Sequence, residues 1–130
     1  MVERHGLPLT VRLTAANRPD PSVFEELLDS IPPIKRPQGR PRRRPAKLHA
    51  DKAYDIPRCR AAVRRRGIRC RIARKGVESS KRLGRYRWVV ERTLAWLGRF
   101  RRLVIRYERR ADIHQAFLHL GRALICLAHL

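Results

Sequence analysis

KLHADKAYDIPRCRAAVRRRGIRCRIA, residues 47–73, is the stretch that decides the fold. Leu48 to Asp51 reads as a short strand. Pro57 to Arg66 reads as a helix, with proline at its first position and Gly67 just past its end, the usual asymmetry of helix termini. Ile68-Arg69-Cys70-Arg71-Ile72-Ala73 then alternates apolar and polar residues, the period of a half-buried strand. Strand, helix and strand in so short a span predict a β-α-β unit with parallel strands and a right-handed crossover, and hence an α/β fold. Asp51, at the carboxyl end of the first strand, is the leading candidate for chemistry, because open α/β sheets place ligands in the crevice beyond the strand ends. The competing reading of Asp51 is a turn aspartate that bonds its own backbone.

Toward the amino end, Leu7, Leu9, Val11 and Leu13 alternate with Pro8, Thr10, Arg12 and Thr14, which predicts a strand over 6–16. Residues 17–22 form a turn cluster ending in a candidate N-cap, Ser22. Val23, Leu27, Leu28 and Ile31 then recur at helical spacing until Pro32-Pro33 stops them. Beyond the central unit, residues 76–83 read as a loop containing Ser79-Ser80. A helix is expected from Arg85 to Phe100 with Val90, Leu94 and Leu97 turned inward. Residues 101–110 fit a short strand and a helix continuation equally. Asp112 is expected to cap a last helix whose apolar face is Ile113, Phe117, Leu120, Leu124 and Leu127. The 130 residues are 43% hydrophobic, enough for the core of one domain, residues 1–130, and no internal repeat is visible.

The charge is one-sided. Thirty-two Lys and Arg against eleven Asp and Glu leave a net charge of +21. Such a chain repels itself unless a polyanion or counterions offset it, so DNA or RNA is the expected partner. Most of the excess is Arg, whose planar fork matches phosphate oxygens two at a time. Residues 35–47 hold seven basic residues, three prolines and no acid, and are read as an exposed arm that tracks phosphates or, alternatively, as a solvated linker. The longest uncharged apolar run, Ala123 to Ala128, is far too short to span a membrane, and Met1-Val2-Glu3 opens no secretory signal. Cys59, Cys70 and Cys126 are odd in number and lack C-x-x-C spacing, which argues against disulfides or a zinc site and for a reducing compartment.

Few acids can carry chemistry on a phosphate backbone. Phosphoryl transfer by two cations needs carboxylates that converge on ions about 3.5–4 Å apart. Besides Asp51, Glu91 lies in the expected helix, where it could instead pair with Arg87 one turn earlier. Asp55 reads as a cap for the next helix, and Glu25, Glu26 and Asp29 as a solvated helix face. His5, His49, His114, His119 and His129 show no metal-binding spacing, and the glycine-rich phosphate loops of nucleotide hydrolases are absent. Trp88 and Trp96 are candidates for base stacking or, at helical spacing, for core.

Ala50-Asp51-Lys52-Ala53-Tyr54-Asp55, Arg71-Ile72-Ala73-Arg74, Leu83-Gly84-Arg85-Tyr86-Arg87-Trp88-Val89-Val90-Glu91-Arg92-Thr93, Trp96-Leu97, Phe100-Arg101-Arg102-Leu103 and Tyr107-Glu108-Arg109-Arg110 together resemble bacterial DDE transposases of insertion-sequence family five, in the broader group that shares family four's motifs. The likeness extends to Leu7–Asn17 and Gly39-Arg40-Pro41-Arg42. It implies an RNase H-like fold, Mg²⁺ or Mn²⁺ as cofactor, and hydrolysis followed by strand transfer at insertion-sequence ends. Carried over, Asp51 matches the second acid of the triad and Glu91 the third, both as metal ligands, and Arg87 the family's arginine. Glu3 stands where the family carries its first acid as aspartate, in Val2-Glu3-Arg4-His5-Gly6, with a side chain longer by about 1.5 Å. Gly98 stands where a lysine is expected, with Arg99 beside it.

The resemblance further implies that the central strand before the first acid and the DNA-reading helices are lacking. The chain is therefore expected to be a truncated transposase, or half of one that assembles with an amino-terminal half or as a homo-oligomer. It also implies a bacterial cytoplasmic, nucleoid-associated setting. Arg40, Arg42, Arg43, Arg44, Arg64, Arg65, Arg71, Arg74 and Arg87 are the expected DNA contacts. The alternative functions are a non-catalytic DNA-binding remnant, or an inhibitor docking on a full-length transposase through the face from Ile113 to Leu127.

Overall fold

The computed structural model describes residues 1–77 and 80–130, with side chains described outside 78–87. The chain forms two compact units, Thr14–Tyr86 and Met1–Leu13 with Arg87–Leu130. Secondary structure is mixed, with a small parallel sheet.

In the first unit, strand β1 (Lys47–Ala50) pairs in parallel with β2 (Arg69–Ile72), with Leu48 opposite Cys70 and Ala50 opposite Ile72. Helix α2 (Pro57–Arg65) connects them, so the expected β-α-β unit is present. Its carboxyl end closes as the glycine rule predicts. Gly67, at φ +65°, donates its N–H to the Arg64 carbonyl at 2.9 Å, and Ile68 donates to Val63 at 3.1 Å, the paired bonds that satisfy the last free carbonyls of a helix.

A 3₁₀ turn (Asp20–Val23) leads into helix α1 (Phe24–Asp29). Asp20 and Pro21 start this element, and the Ser22 hydroxyl, expected as the cap, has no hydrogen-bond partner. Phe24, Leu28 and Ile31 from α1 and its end are buried, as are Cys59, Ala62 and Val63 of α2 and Leu48, Ile68 and Ile72 of the strand segments. Alternation then turns Lys47, His49, Arg69 and Arg71 to the opposite, exposed face of the sheet.

The second unit departs from expectation in three places. Residues 6–16 form no strand beyond a single bridged pair, Val2 with Pro8. The segment is bound by side chains of helix α5 (Ala111–Leu127). Gln115 Oε1 accepts from the Leu13 N–H at 2.6 Å, Gln115 Nε2 donates to Val11 O at 3.1 Å, and Arg122 Nη1 donates to Leu9 O at 3.2 Å. Period-two alternation identifies an extended chain but not what will satisfy its backbone. The buried parity is also the other one, Pro8 and Thr10.

Helix α3 runs Ser80–Leu97 and so starts earlier than expected; Glu78 and Ser79, in the anticipated loop, lie outside the described residues. Val90 and Leu94 are exposed, whereas Thr93 is buried and Val89, Trp96 and Leu97 are half-buried. The inward face is thus rotated by about one residue, roughly 100°. Residues 101–110 resolve as a single helical turn, α4 (Arg101–Val104), followed by irregular chain.

On α5 the expected stripe is likewise displaced. Ile113, Leu120, Leu124 and Leu127 are exposed, and His114, Gly121 and Ile125 are buried. Gly121 decides the rotation, because a Cβ there would meet Leu103 Cδ1 at 3.0 Å and Phe100 Cδ2 at 3.3 Å. Arg110, not Asp112, holds the N-cap position, and Asp112 pairs with the Arg110 guanidinium at 2.6 Å. Among the described residues no helix is long and apolar enough to cross a membrane.

Candidate functional site

Asp51 stands at the carboxyl end of β1, as expected, and is exposed. Its Oδ1 accepts the Ala53 N–H at 3.3 Å and caps a 3₁₀ turn, Lys52–Tyr54. The turn reading of Asp51 therefore has a geometric basis, and a long, exposed bond of this kind is weak enough to be exchanged for another partner. Beneath it, the ring of Tyr54 rests against Phe24 with centroids 5.3 Å apart.

Asp55, read as a helix cap, instead links three segments; Ile56 is the residue before α2. It accepts the Arg60 Nε at 2.7 Å and the Lys75 N–H at 2.8 Å, and Arg60 also donates to Ile72 O at 3.0 Å. The Lys75 amide first, and then Arg60, hold the Asp55 carboxyl below the ordinary carboxylate range. A depressed folded value gives stability that is present above the unfolded value, near 3.9, and lost as pH falls through the folded one. Asp55→Asn is accordingly expected to flatten the acid limb of the stability curve below about pH 4, measured by urea denaturation across pH.

Glu91 is exposed on α3, and the side chain of Arg87, its expected partner motif, lies outside the described residues. The residues after Glu91 bring distant sequence together. Arg92 Nη2 donates to His5 O, and the buried Thr93 hydroxyl donates to Gly6 O, each across 87 positions. The Arg92 guanidinium lies 4.5 Å from the Trp88 ring and 4.9 Å from that of Trp96, between the two indoles. Trp96 also meets the His129 ring at 4.6 Å, while Trp88 remains 50% exposed. Trp96 is thus packing, and Trp88 retains an accessible surface.

Glu3 lies in the loop that Arg92 and Thr93 hold. Its Oε1 accepts from the His5 N–H at 2.6 Å and the Leu7 N–H at 3.1 Å. Gly6 in this loop has φ +88°, and an added Cβ would come within 3.0 Å of Arg92 Nη2 and 3.3 Å of Thr93 Oγ1. Gly6→Ala combines backbone strain with tight contacts and is expected to destabilise the protein by about 1–3 kcal/mol, measured by the denaturant midpoint.

The basic residues divide into two groups. Glu25, Glu26 and Asp29, expected as a solvated face, include two acids bound to α2. Glu25 pairs with Arg58 at 2.9 Å and Arg65 at 2.7 Å, and Asp29 pairs with Arg66 at 2.7 Å. The Arg58 hydrogen bond is the main reason the Glu25 carboxyl titrates low. Arg65, an expected DNA contact, is therefore already engaged. Arg40, Arg42, Arg43, Arg44, Arg64, Arg71 and Arg74 are exposed.

The 35–47 arm is not wholly irregular. Ile34 and Arg42 exchange two backbone bonds, at 2.9 and 2.8 Å, and Arg42 Nε donates to Arg44 O at 2.7 Å. The open sheet face adds Lys47 and Arg69, and His49, which burial and then Lys47 and Arg71 keep below its ordinary titration range. Lys47 belongs to the arm expected to track DNA and Arg69 to the basic run 58–75 expected to do the same, whereas no expectation of DNA contact included His49. The parallel register, which sets Lys47 against Arg69 and His49 against Arg71, is what groups them. Like charges directly opposite one another destabilise a strand pair and suit an anionic ligand.

As hard oxygen donors, Asp51 and Glu91 match Mg²⁺ or Mn²⁺ chemistry. Asp51 belongs to the first unit and Glu3 and Glu91 to the second. Among the described residues no group of three or more His, Cys, Asp or Glu is assembled to hold an ion.

The family model described as the transposase DDE domain matches residues 1–127. A protein of Burkholderia cepacia, assigned as a transposase for insertion sequence element IS402, is 52% identical over 126 residues, which cover 97% of this chain and 60% of that protein. The chain thus spans about 60% of the length of the curated relative it matches. No solved structure matches the chain significantly.

Proposed function

The chain belongs to the transposase DDE domain family, and from that premise we propose that it acts on double-stranded DNA at insertion-sequence ends, as part of a metal-dependent cleavage and strand-transfer machine. The observation that carries this reading is the placement of Asp51 at the carboxyl end of a parallel strand in a strongly basic unit. In this proposal the β1-α2-β2 unit is part of an RNase H-like fold. Asp51 and Glu91 hold Mg²⁺ or Mn²⁺, and the resemblance suggests Glu3 as the third acid. When bound, such cations activate the attacking oxygen and stabilise the leaving one.

The protein's own task is to grip and orient DNA. Arg40, Arg42, Arg43 and Arg44 on the arm, Arg64 on α2, and Arg71 and Arg74 on and after β2 contact phosphates, with Arg87 near Glu91. Arg65 serves the α1–α2 contact instead. The active assembly includes further copies or the remaining part of a longer transposase, in the bacterial cytoplasm at the nucleoid.

The test is nicking of DNA bearing the element's ends with and without Mg²⁺, comparing the unaltered chain with Asp51→Asn and Glu91→Gln. Equal activity in all three removes the catalytic reading. A second reading, a DNA-binding remnant without catalysis, rests on the exposed arginines alone. Binding without any metal-dependent cleavage would establish it.

A further inference from the structure

We infer that Glu3 is a positioning residue for the helix that carries Glu91; the inference rests on the reading of Glu91 as a metal-binding acid. One oxygen of the Glu3 carboxylate accepts two backbone N–H groups of its own loop, those of His5 and Leu7, at 2.6 and 3.1 Å. The main chain closes the same loop, since Glu3 N–H donates to Leu7 O and Gly6 N–H donates to Glu3 O, both at 3.0 Å. The loop so formed holds Gly6 at φ +88° and presents two consecutive carbonyls, of His5 and Gly6, to Arg92 and Thr93.

Those two residues follow Glu91 directly on α3. The fit is close, because a Cβ at position 6 would lie 3.0 Å from Arg92 Nη2 and 3.3 Å from Thr93 Oγ1. Arg92 is in turn held between Trp88 and Trp96. The rotation of α3 that buries Thr93 leaves Glu91 on the exposed side. Glu3 therefore sets the loop, the loop sets Thr93 and Arg92, and these set the direction of Glu91.

The extra methylene relative to aspartate has a local use here. Here the glutamate curls back to amides two and four positions ahead, and an aspartate would hold its carboxylate about 1.5 Å closer to the backbone. The carboxylate serves the lock through Oε1 alone, as the acceptor of two N–H groups. Its charge is also unnecessary for the lock, because any carbonyl oxygen at the same place accepts both N–H groups.

That last point separates a lock from a ligand. In the full 130-residue chain, Mn²⁺ binding is titrated by electron paramagnetic resonance, and exchange of the His5 and Leu7 amides is followed by NMR, for Glu3→Gln, Glu3→Ala, Thr93→Val and Glu91→Gln. Glu91→Gln is expected to weaken Mn²⁺ binding by about tenfold or more. Glu3→Ala and Thr93→Val are expected to weaken it by about threefold or more through misplacement of Glu91, while Glu3→Gln restores it to within about twofold. Glu3→Ala accelerates exchange of both amides by about tenfold or more, and Glu3→Gln leaves them protected.

A loss of Mn²⁺ affinity in Glu3→Gln equal to that in Glu91→Gln overturns the inference and makes Glu3 a ligand. Unchanged amide exchange in Glu3→Ala overturns the lock. If the unaltered chain binds no Mn²⁺, the metal reading of Glu91 fails and the positioning role falls with it, while amide exchange still reports whether the lock exists.

Discussion

Raising salt from 50 to 200 mM is expected to weaken DNA binding by this chain by about 10³–10⁵-fold, the loss that follows when six to ten phosphates are neutralised and their counterions released. The physical ground is the net charge of +21 and the exposed arginines of the described residues, among them Arg40, Arg42, Arg43, Arg64, Arg71 and Arg74. The structure turns this into a residue-level expectation. Substituting Arg42, Arg43, Arg71 or Arg74 by Ala should lower the slope of log affinity against log salt by about one each, with little dependence on DNA sequence. Arg58 and Arg66, bound to Glu25 and Asp29, should behave oppositely. Their replacement leaves the slope nearly intact and loosens α1 from α2, which a thermal melt would detect. Fluorescence anisotropy across salt concentrations is the measurement. A flat response would remove phosphate tracking as the basis of binding.

On the proposed reading of both acids as metal ligands, Asp51→Asn and Glu91→Gln are each expected to reduce metal-dependent cleavage by about 10³-fold or more in the assembled transposase, because each would remove a charged ligand worth several kcal/mol at the transition state and every 1.36 kcal/mol is tenfold in rate. DNA affinity should hold or rise slightly in both variants, since each removes a negative charge from a surface that binds a polyanion. That pairing of outcomes is diagnostic. Loss of cleavage together with loss of binding would indicate misfolding, and retained cleavage would end the assignment of these two acids. Asp51 is also a turn cap, and asparagine keeps an acceptor oxygen at the same place, so Asp51→Asn is expected to leave stability nearly unchanged.

The first unit was largely legible because its signals are local. Pro57 and Gly67 mark the two ends of α2 by backbone chemistry alone, and Leu48 and Ile72 mark strands through alternation. Strands separated by a short helix can hardly pair other than in parallel. What could not be read there was the pairing of charges: Glu25 and Asp29 look like a solvated face until α2 is laid beside them. The second unit was less legible because its helices offer more than one plausible inner face. On α5 hydrophobicity favours the row through Ile113, Leu120 and Leu127, yet the buried row passes through His114, Gly121 and Ile125.

By itself the sequence determined the basic character of the chain, the β-α-β unit, the position of Asp51 at a strand end, and the family, because each depends on residues near one another or on motifs in order. Only the tertiary structure decided which face of α3 and α5 is buried, which arginines are engaged, and that the Glu3 loop is fastened to the helix of Glu91 through Arg92 and Thr93. These outcomes turn on steric fit at Gly6 and Gly121 and on hydrogen bonds across 87 positions, and a pattern along one chain carries no term for either.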